Sequence, residues 1–227
     1  MDYFQFFDRF GGSARTKNIR QMEVEDAENM APHIEKPICR LPSESGLPLE
    51  FIRLCPWEME FLFLIARRAR VGILEIGRFN GGSTFVLACA APHVPIHSID
   101  ISPQNDDILR KLFSSHGIGM NVNLIVGDSQ NENHESVGAI DLLFIDGDHS
   151  YAGCMADIRN WYDRVTPLGK IVFHDSYIGR PFYGVQDAAL DLLEEKRDEL
   201  EVIVSPLIGA AHWRHPFGSI ACLQKTR

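Results

Sequence analysis

The sequence predicts an α/β fold: a mostly parallel sheet covered by helices on both faces. Three observations predict it. Short runs rich in Val, Ile and Leu alternate with helix-like runs over most of the chain. The first five of these strand-like runs each bring an Asp or Glu to or beside their C-terminal end. The last two strand-like runs follow one another with no helix pattern between them, which predicts an antiparallel hairpin closing one sheet edge.

Taken in order, Pro56 opens "WEMEFLFLIARRAR", which reads as a helix with Pro in its first turn and a basic last turn. Strands are predicted over 71–77, 95–101, 121–127, 140–146 and 170–175. Helices are predicted between them and after them, over 82–90, 105–115, 151–164 and 184–197. "EVIVSPL" and "GSIACLQ" supply the closing hairpin. Residues 1–55 are irregular, with Pro32, Pro37, Pro42 and Pro48 interrupting any long helix. They read as an N-terminal cap on a domain spanning 56–227, with a loose leader over 1–20 left open.

Composition narrows the function classes. A net charge of −9 argues against nucleic acid as a partner, because phosphate binding needs clustered Lys and Arg. No apolar run reaches the length of about eighteen residues that a membrane helix needs. The opening residues lack the basic-then-apolar order of a secretory signal. The five cysteines are scattered without C-x-x-C spacing, which points to reduced thiols in a cytoplasmic protein and to no zinc site. A homodimer or higher homo-oligomer stays open, with the N-terminal cap as its candidate contact.

In an open parallel sheet, ligands bind beyond the carboxyl ends of the strands. Glu75, Asp100, Asp128, Asp146 and Asp175 fall at or next to the five strand ends. One or two such acids are explained as caps of the following helix. Five on one rim point to a binding site, because like charges packed together are costly without cations or hydroxyl donors. The first loop, "EIGRFNGGSTF", is glycine-rich, but Phe79 stands where a dinucleotide loop has its middle glycine, and no G-K-[ST] follows. A ligand without phosphates fits better, one carrying a positive charge near Glu75 and a ribose near Asp100. S-adenosylmethionine meets these requirements.

From about Pro56 onward the chain resembles the class I S-adenosylmethionine-dependent methyltransferases, in "LEIGRFNGGST", "IHSIDIS" and "VGDSQ" in that order. The resemblance implies a Rossmann-like methyltransferase sandwich, with seven strands in the order 3-2-1-4-5-7-6 and the last strand antiparallel. It also implies cofactor contacts. Glu75, Gly77, Gly81, Gly82 and Ser83 would surround the methionine part, Asp100 would hold the ribose, and Asp128 and Ser129 would face the adenine. Asp146 would border the same pocket.

"FIDGDHSY" and "GKIVFHDSY" further resemble the metal-dependent O-methyltransferases, both the catechol type and the macrocin-like type that acts on sugar hydroxyls. That resemblance implies Mg2+ or another divalent metal between Asp146 and Asp175, with His174 as a third candidate ligand and His149 as general base. An imidazole has an ordinary pKa of about 6.5 and accepts a hydroxyl proton at neutral pH. His174 has a competing reading as a core histidine facing the other side, since a strand alternates its side chains. His149 has one as a helix cap. Asp148 reads as a cap or as a partner orienting His149. Tyr177, Arg180 and Tyr183, and His212, Trp213 and Arg214 in "GAAHWRHPFGS", are candidate substrate contacts or plain loop residues. The function expected is methyl transfer to a hydroxyl of a small molecule: a sugar, a catechol or a natural-product scaffold. A catalytically inactive cofactor-binding scaffold and a nicotinamide oxidoreductase are the alternatives.

Overall fold

The computed structural model describes residues 51–54, 56–131, 134–176, 184–204 and 220–226. The expected N-terminal cap therefore falls almost wholly outside the described residues. Seven strands form one sheet in the order β3-β2-β1-β4-β5-β7-β6, as the resemblance implied. They are β1 (Ile73–Ile76), β2 (Ile96–Asp100), β3 (Val122–Val126), β4 (Ile140–Ile145), β5 (Val165–Phe173), β6 (Leu200–Val204) and β7 (Ala221–Lys225). β1 to β5 pair in parallel, and β7 runs antiparallel to both β5 and β6.

Among the described residues, five helices cover the sheet: α1 (Pro56–Arg67), α2 (Gly82–Ala90), α3 (Asp106–His116), α4 (Tyr151–Trp161) and α5 (Val185–Glu195). Alternation along the strands divides the core into two layers. Leu74, Ile76, Leu143, Ile145, Ile171 and Phe173 pack with α4 and α5. Ile73, Leu142, Phe144, Val172 and Cys222 pack with α1 and α2 on the other face. α3 joins that second layer through Leu109, Leu112 and Phe113 against Phe85 and Ala88 of α2. Central β1 is buried on both faces, which is why "ILEI" reads as a continuous apolar run interrupted by one acid.

One strand departs furthest from its predicted limits. β5 starts at Val165, five residues earlier than the sequence suggests. Pro167 and Gly169 hide its first half, because both are poor strand formers. Its pairing with β4 slips between Ile140 and Leu142, and Leu168 takes a left-handed φ of 63° in the irregular stretch. The bulge absorbs the misfit, so the far end of β5 regains register with β4 at Leu142↔Lys170.

Cys89, Cys154 and Cys222 are free thiols, and burial pushes each of them up to about 12, which leaves them inert. Among the described residues, no helix is long and apolar enough to cross a membrane.

Gly82 marks the closest approach of the 51–54 segment to the domain. A Cβ on it would lie 2.3 Å from the Phe51 carbonyl oxygen and 2.5 Å from the Ile52 Cα. Gly82→Ala should therefore lose about 1–3 kcal/mol through overpacking, read in a thermal melt as a Tm fall of roughly 2–4 °C per kcal/mol. An unchanged melting curve would mean that the segment does not cross the helix as described.

Candidate active site

Register places the site. Ile76 pairs with Ile145 and Ile145 with Phe173, so the next residues of three adjacent strands, Gly77, Asp146 and His174, come level at the rim. The ladder continues one step beyond the strands, with Asp146 N–H donating to the Ile76 carbonyl (2.8 Å) and His174 N–H to the Ile145 carbonyl (3.0 Å). A cavity of ≈ 1150 Å³ opens over this rim. Its lining includes Gly77, Gly82, Ser83, Asp100, Asp128, Ser129, Asp146, His149, His174 and Asp175 of the sequence candidates. Glu75 and Gly81 are not on the lining.

Gly77 has φ 84°, and a Cβ there would sit 2.2 Å from the Asp146 carbonyl oxygen. Only glycine lets the first loop turn this close to β4. Asp100 holds the loop from the other side, its Oδ2 accepting from the N–H groups of Arg78 (2.9 Å) and Phe79 (2.8 Å) and its Oδ1 from Ser102 N–H (2.7 Å). Phe79 takes φ 46° without being glycine, and its exposed ring lies under the Arg53 guanidinium at 5.5 Å. Arg78 is on the cavity lining, but its side chain is buried. It pairs bidentately with Asp106 (2.8 Å for both bonds) and donates to the carbonyls of Ser98 and Ile125, tying the loop to α3, β2 and β3.

Glu75 lies two residues below the rim, fully buried, because its position in β1 aims it under α2. Its Oε2 accepts from Thr84 Oγ1 (2.6 Å) and Ser98 Oγ (2.5 Å). Burial pushes its carboxyl up, against the opposing pull of the Ser83, Ser98 and Thr84 hydroxyls. Its Oε1 is buried without a hydrogen-bond partner. Glu75 thus anchors the start of α2 to two strands from beneath the cavity floor.

On the far side, Asp128 folds onto its own loop, accepting from Asn131 Nδ2 (2.7 Å) and Gln130 N–H (2.9 Å), and these bonds hold its carboxyl below the ordinary value. Ser129 is held by three α4 side chains. Its hydroxyl donates to Asp157 (2.7 Å), and its carbonyl accepts from Asn160 Nδ2 (2.6 Å) and Trp161 Nε1 (2.9 Å).

The chemistry-bearing cluster sits between these halves. Asp146, His149 and Asp175 each offer a ligand atom, and the three atoms lie within 4.8 Å of one another. His149 Nε2 is 3.4 Å from Asp146 Oδ1 and 3.4 Å from Asp175 Oδ2. Gly184 N–H donates to the His149 carbonyl (2.8 Å), pinning this loop to the start of α5. The capping alternative for His149 falls away, because Ser150 is the N-cap of α4 and accepts from Gly153 N–H (3.1 Å). Asp148 accepts from Ser150 N–H (2.9 Å) and so shapes the turn.

His174 and Asp175 face the same side, against simple strand alternation. The reason is local: Asp175 has φ 53°, a left-handed conformation that breaks the pleat just past β5. His174 itself differs from the expectation of a metal ligand. Its Nδ1 lies 3.0 Å from Asp146 Oδ1 and its Nε2 lies 3.2 Å from Glu58 Oε2. Two carboxylate partners need an N–H on each nitrogen, and such a ring has no lone pair for a metal. Burial alone would lower the His174 pKa, but Asp146 and Glu58 outweigh it and push the ring up to about 11. Burial likewise acts to raise the Asp146 carboxyl, yet His174 and His149 hold it below its usual range.

Glu58, Arg53 and the 51–54 segment were not singled out on sequence, yet they line the cavity. Glu58 sits in the first turn of α1, where an acid reads as a complement to the helix dipole, and nothing local announces its inward direction. Tyr177, Arg180, Tyr183, His212, Trp213 and Arg214 lie outside the described residues.

Residues 74–176 match the family described as "Methyltransferase domain". That stretch runs from β1 to the residue after Asp175 and so contains the whole strand-end rim. Within that stretch the chain resembles a methyltransferase domain in sequence. Among solved structures, it is similar to the O-methyltransferase TomG of Streptomyces achromogenes, involved in tomaymycin synthesis and solved in complex with SAM. The identity there is 19%, over 86% of this chain and 90% of that one, with a TM-score of 0.61. It is also similar to the SAH-bound methyltransferase PaMTH1 of Podospora anserina, 18% identical over 93% and 96% of the two chains, with a TM-score of 0.60. These likenesses establish the fold. An uncharacterized protein of Acanthamoeba polyphaga mimivirus is 32% identical over 110 residues, 45% of this chain and 50% of that protein. An uncharacterized protein of Sinorhizobium fredii is 36% identical over 47 residues, which is 21% of this chain and 5% of that protein. The matches thus span half or less of the length of these curated relatives.

Asp157 yields a pH-dependent prediction. Burial lifts its carboxyl from 3.8 to about 6, the Ser129 bond opposing and the Asp128 and Asp148 charges adding to the rise. Its Oδ2 is buried without a hydrogen-bond partner. A raised acid favours the fold in its protonated form. Its contribution is therefore full below pH 3.8 and is lost as pH rises through about 6. Asp157→Asn should leave stability near wild type at pH 4 and raise it by about 1–3 kcal/mol at pH 7.5, measured by denaturant unfolding. An equal difference at both pH values would contradict the assignment.

Proposed function

We propose that the protein is an S-adenosylmethionine-dependent O-methyltransferase that moves a methyl group to a hydroxyl of a small molecule. A divalent cation between Asp146 and Asp175 and His149 as base would assist it. The convergence of Asp146, His149 and Asp175 on one point of the cavity floor carries this reading. Two carboxylates suit a hard dication, and the imidazole beside them serves as base rather than as ligand. The glycine loop, Asp100, Asp128 and Ser129 share the cavity with that point, which suits a nucleoside cofactor bound alongside it. When bound, S-adenosylmethionine supplies the electrophilic methyl, and the dication lowers the pKa of an acceptor hydroxyl beside it.

The chain's own residues would do the rest. Asp100, already closing the glycine loop, would also accept from the ribose hydroxyls. Asp146 and Asp175 would hold the cation, and His149 would take up the hydroxyl proton at Nε2. General-base help of this kind is worth about 10²–10⁴ in rate, and alignment of acceptor with methyl supplies much of the remainder. A catechol, a sugar diol and a hydroxylated natural product all present the adjacent oxygens that such a site favours. Both TomG's role in tomaymycin synthesis and its description as an O-methyltransferase support this class of acceptor.

In a screen of catechols and sugar diols with labelled S-adenosylmethionine, turnover should require a divalent cation and stop in excess chelator. Asp146→Ala should abolish turnover while its affinity for S-adenosylhomocysteine, measured calorimetrically, stays within a few-fold of wild type. His149→Gln should lower kcat by about 10²–10⁴. Full activity in chelator, or an Asp146→Ala variant as active as wild type, would refute the metal role.

A further inference from the structure

We infer that Glu58 is a positioning residue of this site: it fixes the His174 ring, and through that ring the carboxylate of Asp146. The inference rests on the metal-assisted reading above and extends it to a residue from a different part of the chain. Glu58 belongs to α1 and lies 116 residues from His174, yet its Oε2 is 3.2 Å from His174 Nε2. The ring's other nitrogen lies 3.0 Å from Asp146 Oδ1. Glu58, His174 and Asp146 thus form a continuous line from the helix layer to the rim.

Burial gives the line its force. Glu58 is 2% exposed and His174 7% exposed. An acid that only complemented the α1 dipole would stay in solvent, since burying a carboxylate costs several kcal/mol unless it is paired. The ring has little freedom otherwise, because it packs edge-on to Phe144 with centroids 6.3 Å apart. Asp146 is in turn the residue that His149 approaches at 3.4 Å. A shift of the His174 ring would move the carboxylate on which the cation site depends. Partners of this outer kind, when removed, commonly cost about 10–100-fold in metal affinity.

Two variants and two readouts test the role. Glu58→Met keeps the volume and removes the acceptor; Glu58→Gln keeps an oxygen that accepts from Nε2–H. Imidazole NMR of the full chain should show a slowly exchanging His174 Nε2–H in wild type, absent in Glu58→Met and retained in Glu58→Gln. Titration with Mn2+ alone should show affinity falling about tenfold or more in Glu58→Met and staying within about threefold in Glu58→Gln. S-adenosylhomocysteine affinity should hold in both, reporting an intact pocket. An unprotected Nε2–H in wild type overturns the anchor even if Glu58→Met fails to fold. Wild-type Mn2+ affinity in a folded Glu58→Met variant overturns it as well. If no form binds Mn2+ while Glu58→Met alone loses the ring signal, the metal reading fails and the anchoring of His174 by Glu58 stands.

Discussion

The site depends on a register match across three parallel strands. With Ile76 opposite Ile145 and Ile145 opposite Phe173, the chain leaves the sheet at Gly77, Asp146 and His174 on one level. A slip of one residue in β4 or β5 would send Asp146 or Asp175 to the opposite face. Two local features turn that level edge into a pocket. Gly77 permits the first loop to touch β4 backbone, and the left-handed Asp175 swings its carboxylate to the side His174 already faces. A non-glycine residue in that conformation costs on the order of 1–3 kcal/mol. Such strain persists where surrounding structure fixes it, and here the ordered end of β5 does so.

An acidic rim on a chain of net charge −9 raises a problem of self-repulsion. The fold answers it acid by acid. Asp100 is met by backbone N–H groups, Asp128 by its own loop, and Glu75 by hydroxyls below the floor. Asp146 is met by two histidines, one of them buried between it and Glu58. Oriented donors therefore serve most of the rim, and cationic side chains serve little of it. Arg78, the buried cation nearest the glycine loop, is spent on Asp106 and two carbonyls. That division leaves the mouth of the cavity open.

Much of this was legible in the sequence because strand cores are apolar runs and because parallel sheets bind ligands at strand ends. Gly82 to Ala90 as a helix and Asp146 beside the end of β4 follow from those two rules alone. The strand order came through the resemblance, since periodicity does not say which strands neighbour each other. The rest was hidden by contacts between distant segments. The first half of β5 was masked by Pro167 and Gly169. Glu58 looked like a dipole complement, and only the packing of α1 beside α2 turns it inward. His174 looked like either a ligand or a core residue. Its actual neighbours lie 28 and 116 residues away, a distance that local pattern does not bridge. Asp175 could not be aimed correctly, because a left-handed aspartate after a strand has no sequence signature of its own.

Anomalous scattering from a crystal grown with Mn2+ and S-adenosylhomocysteine tests the central claim most directly. The account predicts one strong manganese peak between the Asp146 and Asp175 carboxylates, on the side of the cavity where the homocysteine sulfur lies. A fully occupied cofactor with no manganese at those carboxylates, or with the two side chains turned apart, would contradict it.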